Sequence, residues 1–76
     1  MESVAIHTAT IRLDQLLKLV GAVPTGGAVK PLMEEGRIFV NGVRETARRR
    51  QLSSGDVVKV RFEGGDEEYE VRGEQA

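Results

Sequence analysis

The sequence has no cysteine and no tryptophan, and in 76 residues it holds one histidine, one tyrosine, two phenylalanines and two prolines. The missing cysteine excludes disulfide scaffolds, thiolate nucleophiles and cysteine-ligated zinc together, and it suits a reducing compartment, the cytoplasm. His7 is the single imidazole, and no serine, cysteine or carboxylate constellation is recognisably paired with it. It reads as a surface residue, so no enzyme activity, cofactor or metal is expected. A long apolar run is missing too. The first ten residues, MESVAIHTAT, carry an acidic second residue and too short a hydrophobic stretch for a signal peptide. Nothing in the chain is long enough to span a bilayer, so no membrane partner is expected.

What remains suits one small folded domain over residues 1–76. Hydrophobic residues make up 39% and charged residues 30%, too apolar for disorder throughout. The formal charge of −1 hides a split. Residues 1–62 carry ten Lys/Arg and six Asp/Glu (+4), whereas residues 63–76 carry one Arg and six Asp/Glu (−5). A basic body with an acidic C-terminal strand and tail points to an electrostatically chosen partner for the body, with the tail keeping the protein soluble.

Leu13, Leu16, Leu17 and Val20 fall at i, i+3, i+4 and i+7, the spacing of one helical face. That helix should end near Gly21. VPTGG (23–27) reads as a connection, and a second helix follows in which Val29, Leu32 and Met33 share a face, Glu34 and Glu35 point away and Gly36 is the stop. Pro31 is anomalous inside it and predicts a kink or a late start. From Arg37 the period becomes alternating. Ile38 and Val40 precede Asn41-Gly42, a tight-hairpin dipeptide. SSGD (53–56) and EGGDE (63–67) are further turns around VVKVRF and EYEVR. A short initial strand at Val4–Ile6 is also allowed. The predicted class is α+β, with two N-terminal helices packed on a small antiparallel, hairpin-rich sheet.

The basic residues fall at the exposed ends of these elements. Arg12 precedes the first helix and Lys18 lies on its polar side; Lys30 is on the second helix, Arg37 opens the hairpin, and Arg44 follows its turn. Arg48, Arg49 and Arg50 are placed on the return segment. Together they can form one cationic surface, although composition alone leaves equal room for ordinary solvated arginines. PTGGAVKP lacks the spacing of a nucleotide-binding P-loop. Its backbone N–H groups are still candidates for an anion, unless the glycines only permit a tight turn.

IRLDQLLKLVG, TGGAVKPLMEEGRIFVNG and LSSGDVVKV, in this order and spacing, resemble the RNA-binding module named after small-subunit ribosomal protein S-four, especially its small stand-alone bacterial members. The likeness covers roughly residues 4–62. It implies RNA held by the helix starts and the basic hairpin, and carried over by position it implicates Arg12, Thr25, Gly26, Gly27, Lys30, Arg37 and Asn41, with Arg44 and Arg48, Arg49 and Arg50 extending the surface. Val29 stands where the family usually has alanine, and Pro31 interrupts the helix that presents Lys30. The expected partner is structured RNA, ribosomal RNA or a ribosome-assembly intermediate, with the ribosome or assembly factors alongside, bound by a monomer.

Arginine grips phosphate oxygens in a forked geometry that lysine does not match. Phe62 and Tyr69 are expected in the core, and Phe39 alone is a thin stacking platform, so recognition through backbone and shape is favoured over reading of unstacked bases. Two rivals stand beside this reading. A protein-binding adapter can use the basic face or the acidic tail. A ubiquitin-like sulfur carrier needs a C-terminal diglycine, whereas Gly64-Gly65 is followed by eleven residues.

Overall fold

The computed structural model describes residues 1–73. Its elements run β1 (Glu2–Ile6), β2 (Thr10–Arg12), α1 (Leu13–Leu19), a 3-10 turn (Gly26–Ala28), α2 (Val29–Glu34), β3 (Ile38–Val40), β4 (Val43–Arg44), β5 (Gln51–Ser53), β6 (Val57–Phe62) and β7 (Gly65–Gly73). Leu13, Leu16 and Leu17 of α1 are fully buried, as are Ile38, Leu52, Val58, Val60 and Val71. Burying each such side chain contributes about 1.5–3 kcal/mol. Val29 and Met33 bury the inner face of α2, Leu32 packs at its margin, and Tyr69 is in the core with Phe62 half-buried against it.

Both helices end the same way, with a left-handed glycine just past the cap. At α2 the N–H of Gly36 donates to the Met33 carbonyl at 3.0 Å and that of Arg37 to the Leu32 carbonyl at 3.0 Å. Gly36 has φ 73°, and the two bonds together make a Schellman motif. Gly21 closes α1 in the same pattern, bonding Lys18, while Ala22 bonds Leu17. The glycines read from sequence as stops are therefore the left-handed residues that follow the caps Val20 and Glu35.

The α+β class holds, but the arrangement differs from the expectation of two N-terminal helices on an antiparallel sheet. Two strands precede α1, and the main sheet has five strands in the order β1-β7-β6-β3-β4. β1 pairs β7 in parallel, with Val4 opposite Val71 and Ile6 opposite Gly73, so the sheet is mixed. The local pattern of Val4 and Ile6 signals a strand, but nothing local signals a parallel partner more than sixty residues away. The β3–β4 and β6–β7 hairpins are where they were expected. A second sheet, β2 with β5, sets Ile11 opposite Leu52 and Arg12 opposite Gln51. Arg48, Arg49 and Arg50 lie in the loop that enters β5, not on the return strand of the hairpin, which stops at Arg44.

Pro31 is the third residue of α2, which begins late, straight after the 3-10 turn. In a helix's first turn the missing N–H removes no intrahelical bond, so the late-start alternative holds and no kink is needed. Replacing Pro31 by alanine is therefore expected to leave the melting temperature unchanged or lower it slightly. The alanine chain loses only the restriction that proline places on the unfolded state, worth about 0.4–1 kcal/mol. A rise in melting temperature would show that the proline strains the helix.

Candidate nucleic-acid interface

The β2–β5 pairing brings the arginine loop against the start of α1. The N–H of Leu13 donates to the Arg50 carbonyl at 2.8 Å and that of Asp14 to the Arg48 carbonyl at 3.1 Å. The N–H of Gln15 donates to Asp14 Oδ1 at 2.9 Å. The first three donors of α1 are thus bonded within the protein. This helix start offers an anion its side chains, not its backbone N–H groups.

Asp14 is the one buried charged residue among those described, 5% exposed. Arg12 Nε donates to its Oδ1 at 3.1 Å, and Arg48 Nε lies 3.9 Å from Oδ2. Gly26 approaches the same carboxylate, which a side-chain carbon at that position would meet at 3.6 Å. One carboxylate therefore joins α1, the diglycine connection and the arginine loop. Neither Gly26 nor Gly27 has a positive φ, so this diglycine supplies close approach rather than a left-handed turn. Thr25 precedes it, exposed, and its carbonyl accepts from Ala28 at 3.1 Å.

Two clefts meet at this hub. One, about 220 Å³, is lined by Arg12, Asp14, Gln15, Lys18 and Gly26. The other, about 490 Å³, lies between α2 and the arginine loop and is lined by Lys30, Met33, Glu34, Arg44, Thr46 and Arg48. Arg48 borders the second and, through Asp14, touches the first. The Arg44 guanidinium lies over Gly36, where a side-chain carbon would stand 3.1 Å from Arg44 Cζ. A residue without a side chain thereby makes room for it.

Lys18, Lys30, Arg44 and Arg49 are exposed, and among the described residues none of them forms an ion pair. Other candidates are engaged in the fold. Arg37 Nε donates to Glu35 at 2.7 Å, and its Nη1 to the Arg61 carbonyl at 3.1 Å. Asn41 Nδ2 donates to Asp56 at 3.0 Å, and its Oδ1 accepts from the N–H of Val57 at 2.9 Å. Arg50 Nη1 donates to Glu45 at 2.7 Å. Asn41 and Asp56 brace the hairpin turn against the SSGD turn, so the NG and GD signals belong to one bracket. Phe39 is half-buried, with Arg61 Cζ 5.3 Å and Lys59 Nζ 5.9 Å from its ring centroid. Its ring already has cationic neighbours.

Sequence reasoning singled out neither Asp14 nor Glu45. Glu45 accepts N–H bonds from Thr46 at 3.0 Å and Ala47 at 2.9 Å besides the Arg50 bond, and so shapes the loop. A carboxylate two positions from Arg12, and another ahead of three arginines, were the available signals. Burial works to raise the Glu45 carboxyl, but the Arg50 hydrogen bond, the two N–H bonds and the Arg50 charge outweigh it and hold it below its ordinary value. Asp56 is lowered mainly by the N–H of Ser53 and then by Asn41. A carboxylate lowered in the folded state stabilises above its unfolded pKa, and that contribution is lost as pH falls toward the folded value. The urea midpoint should be flat from pH 7 to 5 and fall below about pH 4. Glu45→Gln should make that acid fall shallower; an equal fall would show that Glu45 contributes nothing to it.

No helix of the described residues is long and apolar enough to cross a membrane, and no three His, Cys, Asp or Glu among them gather as metal ligands. The chain is 37% identical over 57 residues to a protein of Bacillus subtilis (strain 168) named probable ribosome maturation protein RlbA, a match spanning 75% of this chain and 80% of that one. Residues 4–72, from within β1 to the penultimate residue of β7, match the model of the S4 domain. The helix pair, the bracketed turns and the strands that surround them all fall inside that match, and the chain belongs to the S4 domain family.

Proposed function

We propose that this protein binds structured RNA without catalysing a reaction on it, and that its partner is ribosomal RNA or a ribosome-assembly intermediate in the cytoplasm. The observation that carries the reading is the set of exposed cations with no carboxylate partner among the described residues, Lys18, Lys30, Arg44 and Arg49. Lys18, Lys30 and Arg44 line two clefts joined at Asp14 and Arg48, and Arg49 follows Arg48 in the loop. Ordinary solvated arginines offset by nearby carboxylates are what Arg37 and Arg50 look like; these four differ. Exposed positive charge along and beside these clefts suits a phosphate backbone.

In this reading Lys18, Lys30, Arg44 and Arg49 contact phosphates, and Arg12 and Arg48 do so while steered by Asp14. Thr25, Gly26 and Gly27 border the path. Arg37, Asn41 and Arg50 hold the frame. The name of the Bacillus subtilis relative supports a ribosomal partner.

Crosslinking in cell extract, with and without ribonuclease and with sequencing of the bound RNA, tests the proposal. Ribosomal RNA should be recovered, and associated proteins should disappear on RNA digestion. Protein partners that survive complete digestion would favour the adapter reading and overturn this one.

A further inference from the structure

The cleft between α2 and the arginine loop contains a feature that phosphate binding does not explain. Glu34 lines it with Lys30, Arg44 and Arg48. Glu34 is exposed and makes no ion pair among the described residues. It stands one helical turn from Lys30, in the Lys-before-Glu order that pairs poorly on a helix. A free carboxylate beside a phosphate path repels phosphate, so a strip built only for the backbone has no use for it. Its chemistry is that of an acceptor for neutral N–H donors.

The rest of the lining is consistent with that. Met33, otherwise buried in the core, borders the cleft with the small part of it that is exposed and gives the lining an apolar edge. Thr46 adds a hydroxyl, and the three cations border the same space. The volume, about 490 Å³, falls in the range of about 300–1,000 Å³ that small-ligand sites occupy.

Resting on the proposed RNA binding and deepening it, we propose that this cleft receives one unpaired guanosine of a structured RNA. The two carboxylate oxygens of Glu34 accept from the N1–H and N2–H donors on its Watson–Crick edge, the base meets the apolar edge that Met33 gives the cleft, and Lys30, Arg44 and Arg48 hold the flanking phosphates. Only an unpaired base presents that edge, since pairing covers it. Among the four bases guanine alone presents two adjacent ring and amino donors to a carboxylate. Adenine and cytosine offer one amino group beside an acceptor, and uracil one imino donor between two acceptors.

The test uses the full chain and a set of RNA hairpins identical except for a single bulged G, A, C or U, or no bulge, with binding read by fluorescence anisotropy. The bulged-G hairpin is expected to bind about tenfold more tightly than the unbulged one, and the others within about threefold of it. In Glu34→Gln, every hairpin gains affinity because a negative charge leaves the cleft, and the G preference falls to twofold or less. That ratio is a readout that a purely structural role for Glu34 does not move. Salt-dependent binding of all five hairpins with equal affinity would overturn the guanosine site and leave RNA binding standing. A G preference undiminished in Glu34→Gln would also overturn it. Binding to none of the hairpins would overturn both.

Discussion

Replacing Lys30, Arg44 and Arg49 together by glutamine is expected to lower affinity for structured RNA by up to about a hundredfold, taking each lost phosphate contact as about 1 kcal/mol. The same change should leave the unfolding midpoint nearly where it was, because these cations are exposed and unpaired among the described residues. A surface that engages on the order of four to six phosphates gives a slope of log affinity against log salt of roughly −3 to −5, and the variant should lose about two units of it. The triple substitution that the sequence suggests, Arg48, Arg49 and Arg50 to glutamine, is a poorer experiment. It breaks the Arg50–Glu45 pair at 2.7 Å and the Arg48–Asp14 pair at 3.9 Å, so it mixes loop stability with contact. Arg50→Gln alone should lower stability more than it changes the salt slope. If the Lys30/Arg44/Arg49 variant binds as the parent does, with the same slope, those residues do not touch RNA.

Gly42→Val is expected to destabilise the protein by about 2 kcal/mol, since a β-branched residue is an outlier at positive φ and one left-handed residue alone costs about 1–2 kcal/mol. Gly42 has φ 83° and Asn41 φ 51°, both left-handed, as a two-residue type I′ hairpin requires. Space is not the difficulty, for nothing lies within 4 Å of where a side-chain carbon would stand; the backbone angle is. The turn also holds Asn41 against Asp56 and Val57, so a distorted turn weakens the bracket. For a domain of this size the loss corresponds to a fall of roughly 8–16 °C in melting temperature. Gly42→Asn, which tolerates the left-handed region, should cost less than half as much. Equal costs for valine and asparagine would show that the backbone angle is not the cause.

These contrasts show which features were legible in the chain. The α1 leucines, the Asn41-Gly42 turn and the alternation of Val58 and Val60 are local patterns, and each survives because burial or a backbone angle enforces it residue by residue. The parallel β1–β7 pair and the small β2–β5 sheet are not local. Three-residue strands such as Thr10–Arg12 have too few alternations to register. The candidate cations were legible as charges, but their division into free and engaged was not. Whether an arginine meets Glu45, as Arg50 does, or no carboxylate among the described residues, as Arg49 does, depends on loop geometry that residue type leaves open. Asp14 was hidden because its burial results from three segments converging on it.

The parallel pairing of β1 with β7 has a consequence for how the chain is made. By charge, residues 63–76 look like an acidic appendage, yet β7 lies between β1 and β6 in the sheet. During synthesis β1 emerges well before β7, so Val4 and Ile6 stay uncovered until the partner strand follows more than sixty residues later. The α1 helix and the Asn41-Gly42 hairpin can form early, since their contacts are close in sequence, but the sheet cannot close until residue 73 is free of the exit tunnel. Closing it joins segments separated by nearly the whole described chain, the kind of contact that slows folding. A chain that stops before Gly65 therefore lacks the strand that lies between β1 and β6, and the pairing of β7 is the step that joins β1 to the rest of the sheet.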